Sequence, residues 1–206
     1  MSTTFNVYPK LSKIPLFREL LELSSARLAE YLIDHGISAQ PAIRVALLSK
    51  SDDEPKPFDL NSPAMWRDSE YAWFYIESAP GGTDAYFCSN EGYQYEIWSE
   101  EIETHIRAAE RKTLIYECLA NGYHWYFRRS MGQPAIINVA YGMIAGSLAE
   151  LTEGFIYTTD AWDYERFPAT AQGFFSWYFR PEKAIKSEQA EWAARCIKWL
   201  VEELKA

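Results

Sequence analysis

The sequence predicts an α+β fold: one domain over residues 1–206, with a mainly antiparallel sheet of about five strands covered by about five helices. Three observations lead there. Short apolar or aromatic runs bounded by turn residues read as strands, and apolar residues returning every three or four positions read as helices. The 206 residues also contain no internal repeat, low-complexity tract or linker that would divide them, and that length suits a single well-packed core.

In chain order, residues 5–8 form a short edge strand at most, because Pro9 has no N–H to continue a ladder. From 14 to 35, Leu16, Leu20, Leu23, Leu28, Tyr31 and Leu32 mark one side of an amphipathic helix that Gly36 ends. Residues 43–48 are β-branched and apolar between Pro41 and a polar run, which defines a strand. The following stretch, SKSDDEPKPFDLNSPAMW, carries three prolines and the acids Asp52, Asp53 and Glu54, and reads as an exposed excursion. Residues 71–77 and 84–88 form a hairpin around Gly81 and Gly82, and the alternation YQYEIW at 93–98 predicts the next strand of a meander.

Ser99 then serves as N-cap of a long helix, with Glu100 and Glu101 suiting the dipole of its first turn and Asn121-Gly122 stopping it. Residues 123–129, YHWYFRR, form a strand. Pro134 opens an unusually apolar and therefore central helix to Thr152, on which Gly142 and Gly146 permit close approach of another element. Gly154 ends it, residues 155–157 add a short strand, Pro168 marks the start of another helix, and residues 182–204 form the last, with Trp192, Cys196 and Leu200 on its apolar side.

With Lys+Arg 20 against Asp+Glu 29, the net charge of -9 repels phosphate backbones and anionic lipid, so neither nucleic acid nor membrane is an expected partner. A basic protein is attracted, and moderate acidity also serves solubility. Cys88, Cys118 and Cys196 are widely spaced, without CxxC or a His at metal-ligand spacing, and are expected to be reduced, mostly buried thiols. The N-terminal stretch lacks a basic start followed by an apolar run, so no leader and a cytoplasmic location are expected.

Chemistry-bearing motifs are sparse. There is no GxSxG, papain-like cysteine context, HExxH, GxxxxGK[ST] or GxGxxG, and His35, His105 and His124 stand alone in different elements. No cofactor and no metal are expected. The most specified stretch is 151–182, whose loop offers oxygens from Asp160, Asp163 and Glu165 beside the rings of Trp162, Tyr164 and Phe167. Its carboxylates can cap a turn, meet a basic partner, or act as acid and base or cation ligands. Asp160, Trp162, Asp163, Tyr164 and Glu165 are the first candidate partner-binding set, and Asp52, Asp53 and Glu54 the second. Arg128 and Arg129, beside Tyr126 and Phe127, can stack on rings, bind a carboxylate or pair with the acidic loop.

In being compact, acidic, rich in aromatic residues and empty of catalytic motifs, the chain resembles bacterial immunity or inhibitor proteins that bind one basic toxin domain. The resemblance is one of profile and no motif carries it. It implies a non-catalytic protein-binding module with a basic protein partner. The competing class is a small hydrolase-like enzyme using Asp160, Asp163 and Glu165 as paired carboxylates, with Arg129 or His124 assisting.

Overall fold

The computed structural model describes residues 3–158 and 164–204. Its strands are β1 (Thr3–Tyr8), β2 (Ile43–Ser49), β3 (Pro55–Lys56), β4 (Glu70–Ile76), β5 (Thr83–Ser89), β6 (Tyr123–Arg129), β7 (Phe155–Tyr157) and β8 (Ala169–Thr170). Its helices are α1 (Phe17–Asp34), α2 (Gly92–Thr104), α3 (Ile106–Glu110), α4 (Lys112–Leu119), α5 (Ala135–Leu151), α6 (Ala171–Phe175) and α7 (Ser187–Glu203). All eight strands join one antiparallel sheet in the order β3-β2-β4-β5-β6-β1-β7-β8. The α+β class therefore holds, with more and shorter elements than the sequence suggested. β3 and β8 are two residues each, too short to carry a period-2 pattern.

Strand alternation sorts side chains onto two faces. Phe5, Val7, Phe74, Ala85, Trp125 and Phe127 point to the inner face and are buried. There α5 lies against the sheet, and Tyr141 stacks on Phe5 at 4.6 Å. Every residue of α5 from Ala135 to Ala149 is buried, as its nearly uniform apolarity requires. Helices α1, α6 and α7 pack around it. The glycines permit the closeness expected of them: a Cβ on Gly142 would sit 2.2 Å from the Tyr178 ring, and one on Gly146 2.4 Å from the Phe175 ring. At the start of α5 the Glu203 carboxylate of α7 accepts the N–H groups of Ala135 and Ile136 at 2.8 and 3.0 Å, so a charge complements the helix dipole where its donors lack intrahelical partners.

The outer face is covered only in part. Helices α2, α3 and α4 pack on one another and reach β1, and Trp98 of α2 sits over Tyr8, Phe155 and Tyr157 at 5.5, 5.2 and 4.6 Å. Over β2, β4, β5 and the adjoining half of β6 the outer side chains remain partly or fully exposed.

Four expectations are corrected. Residues 93–98 belong to helix α2, because β5 already has β4 and β6 on its two sides and leaves no ladder for another strand. The helix buries only Trp98, while Tyr93, Tyr95 and Ile97, the residues that produced the alternation, are exposed. Ser99 consequently lies inside α2 rather than at its start. The single helix expected from Ser99 to Asn121 is divided among α2, α3 and α4, broken at His105 and Arg111, and Ile106 is 79% exposed. Pro168 does not open a helix: Ala169 and Thr170 first pair with Ile156 and Phe155, and α6 begins at Ala171 with the Thr170 hydroxyl accepting from Gly173 N–H at 3.4 Å. The excursion after β2 is exposed over most of its length, as expected, and is anchored where Phe58 and Trp66 pack on Phe17 and the Ala64 carbonyl accepts the Trp125 indole N–H at 2.8 Å. Asp52, Asp53 and Glu54 are its exposed tip.

Candidate functional site

The open half of the outer face carries a row of rings set by register. Leu48 lies opposite Tyr71, Tyr86 opposite Tyr126, and Tyr126 opposite Asn6. Tyr71 and Tyr86 stack with centroids 6.1 Å apart, and Tyr86 and Tyr126 follow at 5.8 Å, so three tyrosines form a ladder across three strands. A second row alongside runs Ala46, Trp73, Asp84, Arg128 and Thr4. In it Arg128 closes a 2.6 Å ion pair with Asp84. Tyr75 stands opposite Arg44 beyond, and Arg44 reaches Glu77 at 3.6 Å. Lys50 places its ammonium 5.0 Å from the Tyr86 ring centre. All five rings, Tyr71, Trp73, Tyr75, Tyr86 and Tyr126, are partly exposed.

The acidic tip adjoins this ladder. The Asp53 N–H donates to the Ser49 carbonyl at 3.0 Å and the Glu54 N–H to Asp52 Oδ1 at 3.1 Å, which fixes a turn with Asp53 at φ 56°. The Tyr71 hydroxyl donates to Asp53 Oδ1 at 2.7 Å, tying the turn to the first ring of the ladder. Bonds from Ser49 and then from the Glu54 backbone hold the Asp52 carboxyl below its ordinary range, and burial followed by the bond to Asp53 pushes the Tyr71 phenol up. Both groups keep one charge state across neutral pH: Asp52 anionic, Tyr71 a donor.

Of the other candidate set, Asp160, Trp162 and Asp163 lie outside the described residues. Tyr164 is fastened rather than presented, its hydroxyl donating to Glu101 Oε2 at 2.6 Å and its ring lying 4.7 Å from His105. Glu165 is exposed and helps to line a cleft with Arg107, Arg111 and Arg166. Tyr164 and Glu165, which follow β7, do not come together with Asp52, Asp53 and Glu54, which follow β2. Five strand steps separate β2 from β7, a distance of about 24 Å at ordinary strand spacing.

The groups expected to assist catalysis are engaged elsewhere. Arg129 points to the inner face, donating to Thr3 Oγ1 at 3.2 and 3.0 Å and to Asn138 Oδ1, with its guanidinium 5.7 Å from the Tyr141 ring. His124 is buried beneath α2, stacked on Tyr8 at 4.9 Å and sharing a 2.7 Å hydrogen bond with Asn90 Oδ1. Because the Asn90 amide donates to the carbonyls of Leu119 and Tyr123, its oxygen accepts, which assigns the His124 proton to Nδ1. Burial pushes this imidazole down to about 4 and the neighbouring Tyr8 phenol up to about 12, so both are neutral near pH 7. Among the described residues no group of three His, Cys, Asp or Glu side chains is placed to hold a metal. No described helix is long and apolar enough to cross a membrane.

Of the five rings, the three on β4 were present in the sequence as the alternation Tyr71, Trp73, Tyr75 against Ala72, Phe74, Ile76. Both halves of that alternation are apolar or aromatic, so it shows a strand without showing which face a helix covers. Set against protein-family models, curated proteins and solved structures, the chain matches none.

Proposed function

We propose that this protein is a non-catalytic binding module whose open sheet face receives a basic protein partner. The observation that carries the reading is the tyrosine ladder, partly exposed and joined through the Tyr71–Asp53 hydrogen bond to an exposed turn of three acids. Partly exposed rings supply contact area at low entropic cost and are the residue types that dominate interface energetics. The basic groups on the face are occupied: Arg128 pairs with Asp84, Arg44 with Glu77, and Lys50 rests on Tyr86. The carboxylates of Asp52 and Glu54 remain directed to solvent, and a net charge of -9 attracts a cationic partner at longer range. Asp160, Trp162, Asp163, Tyr164 and Glu165 remain a second candidate set for the same kind of partner. An immunity or inhibitor role is the specific form of this reading.

The test uses the full chain as bait in an extract of its source cells, beside the variants Trp73→Ser/Tyr86→Ser and Asp52→Asn/Glu54→Gln. A basic protein retained by the wild type, lost with the ring variant and released at lower salt from the acid variant is expected. Equal retention by all three baits, or capture of an acidic protein alone, overturns the reading.

A further inference from the structure

A second site is independent of that face. The cleft near β8 has a volume of about 400 Å³ between the α3–α4 junction and residues 165–185, and Arg107, Arg111, Glu165, Arg166 and Trp177 are among its walls. Arg107 and Arg111 are four residues apart, and the Arg111 N–H donates to the Arg107 carbonyl at 3.2 Å, so the two side chains leave one side of a helical turn. Like charges so placed repel, and neither side chain makes an ion pair among the described residues. Burial and then the Arg107 charge hold the Arg111 guanidinium below its ordinary value. One Arg111 donor is spent on the Pro168 carbonyl at 2.8 Å, which fixes the head group at the cleft wall and leaves other N–H groups of its fork available. Across the cleft Arg166 donates to the Lys183 carbonyl and lies 5.0 Å from the centre of the Trp177 ring. Ala169 and Ile185 complete an apolar side.

In a chain of net charge -9, two adjacent guanidiniums beside an apolar wall fit an anion with an apolar body. We propose that this cleft binds a small phosphorylated molecule, the phosphate accepting hydrogen bonds from Arg107 and Arg111 and the body lying along Trp177 and Ile185. A tetrahedral dianion accepts from two planar forks at once, which relieves their repulsion, and the volume falls in the range of small-ligand sites, about 300–1,000 Å³.

Phenyl phosphate is the probe, with phenol and inorganic phosphate beside it, followed by calorimetry and by thermal melting of the full chain. Saturable binding of phenyl phosphate at about 1 mM or below, weaker binding of inorganic phosphate and none of phenol are expected. Arg107→Gln, at an exposed position, is expected to weaken binding at least about tenfold while leaving the ligand-free melting temperature unchanged. Failure of phenyl phosphate to saturate, or equal binding by Arg107→Gln, overturns the proposal. So does binding that emerges only in Asp160→Asn/Asp163→Asn, because the cleft would then serve the chain's own acidic loop. Capture of a protein by the open face does not depend on any of these outcomes.

Discussion

At the scale of single residues, His124 shows how burial selects a charge state. Its imidazole is enclosed by Tyr8, α2 and the Asn90 amide, and it folds neutral with its pKa pushed down to about 4. In the unfolded chain the ordinary value is about 6.5. The unfolded state therefore takes up a proton first as pH falls, and folding stability is lost from pH 6.5 downward until the folded value is passed. Between pH 6.5 and 5 this one group removes about 1.6 kcal/mol, the slope rising toward about 1.36 kcal/mol per pH unit as the unfolded imidazole becomes fully protonated. Urea unfolding across that window should show the decline in the wild type. The same series on His124→Gln should be flatter by that amount, and an identical slope would mean the ring is protonated in the fold. Nothing around His124 in the sequence, YHWYF, separates this enclosed ring from one at a site, because Asn90, 34 positions away, is its partner.

At the scale of elements, α5 is where sequence and packing agree most closely. Its small residues were legible as contacts, and the structure supplies their partners: Tyr178 over Gly142, and Phe175 and Phe174 over Gly146. Gly146→Leu must displace two rings and should cost about 1–3 kcal/mol, seen as a fall in melting temperature of about 2–4 °C per kcal/mol. Gly92→Ala, where a Cβ meets nothing within 4 Å, is the control expected to leave the melt unchanged. An unchanged melt for Gly146→Leu would remove α6 from that contact. Strands β2, β4, β5, β6 and β7 were also legible, since each carries its own apolar run, whereas β1, expected as a short edge strand at most, lies inside the sheet between β6 and β7. Helix α2 was not, because its six-residue alternation suits a strand locally and only the pairing of β5 with β6, from 30 residues further on, excludes it. Glu203 at the start of α5 left no local signal either, being supplied by an element 67 and 68 residues away.

At the scale of the whole molecule, one sheet carries two different surfaces. Its inner face and the β1–β7 half of its outer face are covered by helices, whereas the half from β2 to the adjoining end of β6 presents five rings and an acidic turn. The acidic character was legible from composition, and Asp52, Asp53 and Glu54 were legible as an exposed group. That they stand beside a tyrosine ladder was not, because the ladder is assembled from β4, β5 and β6 by pairing across long sequence separations. The chain provides its own internal control for locating an interface: Tyr71, Tyr75, Tyr86 and Tyr126 lie on the open face, while Tyr93, Tyr95 and Tyr116 are exposed on the helices α2 and α4. Chemical footprinting of tyrosines, with and without the protein captured in the bait experiment, tests the central claim most directly. Protection confined to Tyr71, Tyr75, Tyr86 and Tyr126, with Tyr93, Tyr95 and Tyr116 labelled as before, is the predicted result. Protection of Tyr93, Tyr95 and Tyr116 with the ladder still labelled would contradict it.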